Sequence, residues 1–296
     1  MARYALGETK KAIGYYEQAL AIWKLVYGEQ HPQVATGLNN LGSAWADLGD
    51  HKEAIGYYEQ ALAIWELVYG EQHPQVATGL NNLGSARYAL GETKKAIGYY
   101  EQALAIDWAV YGDEHPAVAR ELNNLGLAWK ALGETKKAIG YYEQALAIWE
   151  LVYGEQHPQV ATGLNNLGSA WKALGETKKA IGCYEQALVI CRAIYGVEHP
   201  KVATGLNNLG AAWDDLGDYK KAISYYEQAL AIVRSVYGEQ HPYVASTLNN
   251  LGSAHFGMGD KKQAKAYFEA AYQIFLKFFG PDHPNTKITA AWLADL

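Results

Sequence analysis

Cysteine is nearly absent from this 296-residue chain, which has only Cys183 and Cys191. They lie eight positions apart in a segment that reads as one helix, about 12 Å along its axis, beyond the reach of a disulfide. A disulfide framework is excluded, and a reduced, cytoplasmic setting is the consistent expectation. Proline is scarce as well: of eight, all but Pro281 follow a histidine, so none interrupts a helical pattern. Positive charge is not in excess. The net charge of −6 argues against a general nucleic-acid binder, which needs a positive field to collect phosphates. No run approaches the 18 or more apolar residues of a membrane span, and no basic-then-apolar leader precedes the first repeat. No phosphate-cradling glycine loop and no nucleophile motif is found, so no catalytic residue, cofactor or enzyme activity is assigned.

What is present is a period. His-Pro recurs at His31, His73, His115, His157, His199, His241 and His283, always 42 positions apart. Some blocks repeat verbatim: HPQVATGLNNLGSA fills 31–44, 73–86 and 157–170, and AIGYYEQALAIW fills 12–23, 54–65 and 138–149. A fixed period of this size marks a solenoid, in which each unit buries its apolar face only by stacking on its neighbours.

Within residues 31–72 the unit reads as helix–turn–helix. His31-Pro32 is a helix start, with proline in the first turn where its missing N–H costs nothing. Val34, Leu38, Leu41, Trp45 and Leu48 form one apolar face at spacings of three and four. Gly49 is a left-handed C-cap and Asp50 the next N-cap. Ala54, Ile55, Tyr58, Ala61, Leu62, Trp65 and Val68 form the second stripe, closed by Gly70. The Tyr-Tyr pairs and Trp23, Trp65 and Trp149 read as core between repeats. Gly56 recurs as Gly14, Gly98, Gly140 and Gly182, and its persistence inside a helix predicts a neighbouring helix too close to admit a methyl group.

Leu38, Leu41-Gly42, Trp45, Ala54, Tyr58 and Ala61 match the spacing of the tetratricopeptide repeat. With a 42-residue unit opening on HPxVAxxLNNLG, the chain resembles the longer repeats of kinesin light chains and their bacterial relatives. The resemblance covers essentially the whole chain. It implies an all-α, right-handed superhelical solenoid with the first helix of each unit on the concave face. It also implies a protein-binding role, usually the capture of an extended peptide, without catalysis. The expected division is a partial first repeat over 1–30, repeats 31–72, 73–114, 115–156, 157–198, 199–240 and 241–282, and a C-terminal capping helix over 283–296.

Adjacent asparagines stand in six successive first helices: Asn39-Asn40, Asn81-Asn82, Asn123-Asn124, Asn165-Asn166, Asn207-Asn208 and Asn249-Asn250. Asparagine is a mediocre helix former, so its persistence calls for a hydrogen-bonding reason. Two are open: the amides bond the adjacent repeat, or they bond a ligand backbone through their donors and acceptor. Neighbouring helix positions point about 100° apart, so the two members of a pair cannot serve one face equally. Asn39, Asn81, Asn123, Asn165, Asn207 and Asn249 share a face with Thr36, Ser43 and Ala46 and are assigned to the peptide; the second members are assigned to the stacking. Units differ on this face. Arg120 stands in the threonine slot, Leu127 in the serine slot, and Lys130 and Lys172 in the slot of Ala46. With Asp47, Asp214 and Asp215 flanking them, Arg120, Lys130 and Lys172 predict a mildly basic centre suited to a carboxylate.

The seven histidines do not predict a metal site. Helices pack about 8–10 Å apart, whereas ligand bonds to an ion are near 2 Å. Met1–Gly7 matches the tail of a first helix, which predicts a turn at Gly7 and a separate helix over 9–27 with its apolar stripe partly uncovered. Head-to-head pairing through that helix would make the chain a homo-oligomer. The alternatives to peptide capture are therefore a self-associating spacer and, against the acidic balance, an RNA-binding helical repeat.

Overall fold

The computed structural model describes the backbone of residues 2–296 and the side chains from Glu8 onward. Among these residues there are fourteen α-helices and no strand. The first helices of the repeats are α2 (Pro32–Asp47), α4 (Pro74–Ala89), α6 (Pro116–Ala131), α8 (Pro158–Ala173), α10 (Pro200–Asp215), α12 (Pro242–Gly257) and α14 (Pro284–Ala294). The second helices are α1 (Ala2–Tyr27), α3 (His51–Tyr69), α5 (Thr93–Tyr111), α7 (Thr135–Tyr153), α9 (Thr177–Tyr195), α11 (Tyr219–Tyr237) and α13 (Lys261–Phe279). The chain forms two compact units, residues 1–152 and 153–296. Within each, helices pack on their sequence neighbours, as α2 does on α3 and α3 on α4.

Local chemistry sets the boundaries. Every first helix begins with histidine at the N-cap and proline after it, and the histidine Nδ1 accepts the N–H two residues on, as from Gln33 to His31 at 3.2 Å. The same ring stacks on the aromatic residue four positions earlier, from Tyr27–His31 (4.6 Å) to Phe279–His283 (4.0 Å). Imidazole so held satisfies one of the orphan donors of a helix start, which is the cap role the His-Pro spacing predicts. At the other end Gly49 takes φ +85°. Its N–H donates to the Ala46 carbonyl (2.9 Å) while that of Asp50 donates to Trp45 (3.0 Å), a Schellman closure. Asp50 then caps α3 by accepting from the Glu53 N–H at 3.2 Å. One glycine–aspartate pair therefore stops a helix and starts the next.

The core follows the predicted stripes except at Val68, which is 44% exposed near the C-terminal end of α3. Val34, Leu41, Ala54, Ala61 and Trp65 are buried, as are their equivalents in later repeats. The tight approach falls on Gly42, where a methyl group would lie 2.6 Å from the Tyr58 ring. The Gly56 series contradicts the sequence reading: Gly14, Gly56, Gly98, Gly140 and Gly182 have nothing within 4 Å of where a Cβ would stand. Their side of the helix faces open space, so packing does not account for them. The N-terminal turn is also corrected, since α1 runs unbroken from Ala2 through Gly7 to Tyr27. Seven residues make only about 10 Å of helix, too short a partner to fold back and bury a stripe. The side chains of residues 1–7 lie outside the described residues. Cys183 and Cys191 are both free thiols.

Tyr58 donates to the Ser43 hydroxyl and Tyr100 to that of Ser85, both at 3.2 Å. Leu127 fills the serine slot beneath Tyr142, whose buried hydroxyl has no partner.

Two outcomes follow in thermal and denaturant unfolding. Gly56→Ala is expected to stabilise by about 0.5–1 kcal/mol, and Gly84→Ala, set against the Tyr100 ring at 2.7 Å, to destabilise. Tyr142→Phe is expected to be neutral or stabilising, because it removes an orphaned donor, whereas Tyr100→Phe is expected to cost about 1 kcal/mol.

Candidate functional site

The first helices place their paired asparagines half-buried on one face, with Asn123 buried outright. The amides of successive repeats bond to one another. Nδ2 of the second member donates to Oδ1 of the first member one repeat earlier: Asn82 to Asn39 and Asn124 to Asn81, each at 2.8 Å, and Asn208 to Asn165 at 3.3 Å. Asn165 also donates to the Ala161 carbonyl at 2.9 Å. Two later rungs use threonine. Asn207 donates to Thr247 Oγ1 at 3.2 Å, and Thr289 Oγ1 donates to Asn249 Oδ1 at 2.9 Å. Both members of a pair thus contribute to inter-repeat stacking. The carbonyl oxygen of Asn39, Asn81, Asn165 and Asn249 is already used as an acceptor.

Cations predicted for this face hold carboxylates of their own chain. Lys172 pairs with Asp215 at 3.0 Å. Arg120 donates through Nε to Glu121 at 2.9 Å and reaches Asp107 through Nη2 at 3.5 Å. Lys130 is half-buried in the first unit. The local charge around Arg120 and Lys172 is therefore largely balanced.

Asp107 and Glu121 were not singled out by sequence, and both are buried. The signal was there. In the regular unit a tryptophan faces a glycine of the next first helix, Trp23 on Gly37 and Trp65 on Gly79. At the equivalent positions of the next pair of repeats stand Asp107 and Glu121, and the adjoining Thr78 slot becomes Arg120. Large-on-small apolar contact is replaced by two carboxylates sharing one guanidinium.

Two buried negative charges and one positive charge cannot all be well solvated. Burial pushes the Glu121 carboxyl up to about 7, against the lowering influence of Arg120. Asp107 is raised too, again chiefly by burial. The Asn81 amide lies beside this carboxyl, 3.1 and 3.2 Å from the two Glu121 oxygens.

Among the described residues no group of three or more His, Cys, Asp or Glu side chains is placed to hold a metal ion, and no helix is long and apolar enough to cross a membrane.

A carboxyl that keeps its proton to about pH 7 in the fold, but to only about 4.5 when unfolded, makes the native state bind more protons across that window. Its contribution to stability therefore falls as pH rises from about 4.5 to 7. Glu121→Gln is expected to flatten the stability profile between pH 5 and 8 by about 1–3 kcal/mol in urea titrations. Parallel wild-type and variant profiles would mean that Glu121 is ionised in the fold at neutral pH.

Family-level profiles described as tetratricopeptide repeat match residues 1–46, 38–107, 122–188, 159–232 and 214–277, with a further match over 81–151. No curated protein sequence matches significantly. Among solved structures, the chain is similar to BtubC (BKLC) from P. vanneervenii, with 25% identity and a TM-score of 0.67 over 79% of this chain and 94% of that one. It is also similar to a kinesin light chain of Podosopora anserina with nearly identical TPR-like repeats, with 26% identity and a TM-score of 0.60 over 70% and 98% of the two chains. Cut9 in the APC/C hetero-tetramer Cut9-Hcn1 shares the fold at 16% identity, with a TM-score of 0.67 over 96% of this chain and 46% of that one. The helix pairs, the ring-on-glycine contacts and these matches agree, and the chain belongs to the tetratricopeptide repeat family, in its kinesin light chain-like form.

Proposed function

We propose that this chain is a protein–protein interaction module that takes an extended peptide or protein segment on its first-helix face, with the asparagine ladder meeting the segment's backbone. The observation that carries the reading is at Asn207. Its Oδ1 is buried without a hydrogen-bond partner, and the residue lines a cavity of about 250 Å³ together with Thr204, Tyr237, Tyr243 and Ser246. Tyr237 and Tyr243 meet edge to face at 5.2 Å and wall the space. A buried acceptor left unmade costs about 1–3 kcal/mol, and the N–H of an extended segment is the donor it lacks. At Asn39, Asn81, Asn165 and Asn249 the carbonyl oxygen already accepts a bond within the chain, so these residues would meet a backbone through the amide groups and lone pairs left over from stacking. Arg120, Lys130 and Lys172 favour a carboxylate in the segment, which competes with groups of the chain itself, Asp107, Glu121 and Asp215 among them. The repeat family supports a non-catalytic interaction scaffold.

A second reading is self-association through α1. Tyr16 is 37% exposed where its equivalent Tyr58 is 4% exposed, and Ile22 and Leu25 are also open.

Peptide-display selection on the intact chain, beside a variant with Asn123, Asn165 and Asn207 changed to alanine and checked for unchanged helicity, tests the proposal. Peptides enriched on the parent and weakened about tenfold or more on the variant are the expected result. Enrichment indifferent to the asparagines would remove the ladder from the site. No enrichment, with a size that grows with concentration in sedimentation, would favour self-association.

A further inference from the structure

Near Asp107, Arg120 and Glu121 the chain also departs from the regular unit at the end of α5 and in the loop that follows it. Trp108 stands where other repeats have Lys24, Glu66, Glu150, Arg192, Arg234 or Leu276, and Asp113-Glu114 stands where Glu-Gln is usual, as at Glu71-Gln72 and Glu155-Gln156. Asp113-Glu114 is the one wholly acidic pair at this position. The three residues line one cavity of about 470 Å³ whose apolar part comes from Leu122, Ile148 and Leu151. No ladder asparagine takes part in it.

Trp108 is 42% exposed, while the other eight tryptophans are buried or half-buried. Three of those already hold a cation: Lys137 lies over Trp129 at 3.3 Å, Lys221 over Trp213 at 3.8 Å and Lys179 over Trp171 at 4.2 Å. Among the described residues no cation lies over Trp108. Asp113 and Glu114 are exposed and in no ion pair there. An aromatic face attracts a cation by its quadrupole, two carboxylates add charge-assisted hydrogen bonds, and an apolar floor suits an aliphatic stem whose charged end stays at the rim.

We propose that this cavity is a second binding site, for a lysine or arginine side chain of a partner protein, with the stem along Leu122, Ile148 and Leu151 and the cation between Trp108 and the Asp113-Glu114 carboxylates. It is the chain's own lysine-on-tryptophan contact completed in trans. The site does not depend on the asparagine ladder, so either can fail alone.

The test follows the nine indole N–H signals of the intact chain labelled with [15N]tryptophan. The probes are the peptide acetyl-Gly-Ser-Lys-Ser-Gly-amide and its arginine and norleucine counterparts. Trp108→Glu, which restores the residue of the sibling position at Glu66, identifies the Trp108 signal. A saturable shift of that signal with the lysine or the arginine peptide is expected; which of the two binds more tightly identifies the side chain. The shift is expected to weaken about fivefold or more with norleucine, with added salt and in the Asp113→Asn/Glu114→Gln variant. Equal response to norleucine, or full binding by that variant, would overturn the proposal, as would no shift up to about 10 mM peptide.

Discussion

In each of the six full repeats an aromatic ring of the second helix lies against a glycine of the first. Tyr58 on Gly42, Tyr100 on Gly84, Tyr142 on Gly126, Tyr184 on Gly168, Tyr226 on Gly210 and Phe268 on Gly252 would each clash with a methyl group at 2.5–2.7 Å. This contact sets the distance between paired helices. It also fixes which face of the first helix turns toward the next repeat, and hence where the asparagines, the Trp65-type rings and the cations are presented. Phe268 shows that the ring, not the hydroxyl, is the constant. The hydroxyl bond to serine is an addition that the repeat holding Leu127 has lost.

Near-identity of the repeats makes departures informative. A substitution in one unit can be judged against the same position in six others, where the local backbone is the same. On that measure residues 107–127 hold a cluster of changes with distinct physical consequences. Asp107 and Glu121 exchange an apolar contact for a buried ion cluster, while Trp108 with Asp113 and Glu114 opens an aromatic, acidic cavity on the other side of the same helix end. Two neighbouring changes, Asp107 and Trp108, therefore act in different directions, one inward and one toward solvent.

The ladder has a structural role and a candidate binding role that use the same atoms. Amide pairs such as Asn82–Asn39 tie consecutive first helices, which rigidifies the face that a segment would contact; a preorganised face loses less freedom on binding. At Asn207 the chain of amide-to-amide pairing gives way to Thr247, and there the acceptor is left open beside a cavity. If a segment does bind there, as proposed, its specificity would rest on such interruptions of an otherwise repeated network.

The sequence by itself determined the period and, from α2 onward, the helices and their limits; the turn it suggested at Gly7 is absent from α1. The chemistry that sets these is local: a histidine accepts from the N–H two residues ahead, a glycine with positive φ closes a helix through bonds spanning three and five residues, and apolar stripes recur at three and four. Tertiary structure decided which glycines are tight and which face open space, because Gly42 meets a ring 16 positions away and Gly56 meets nothing. It decided that the asparagines bond one another, since their partners lie a whole repeat away. It also decided that Asp107 and Glu121 are buried together, and no local periodicity encodes that. Contacts between stacked surfaces depend on how one repeat sits on the next, and that register exists only once the helices have packed.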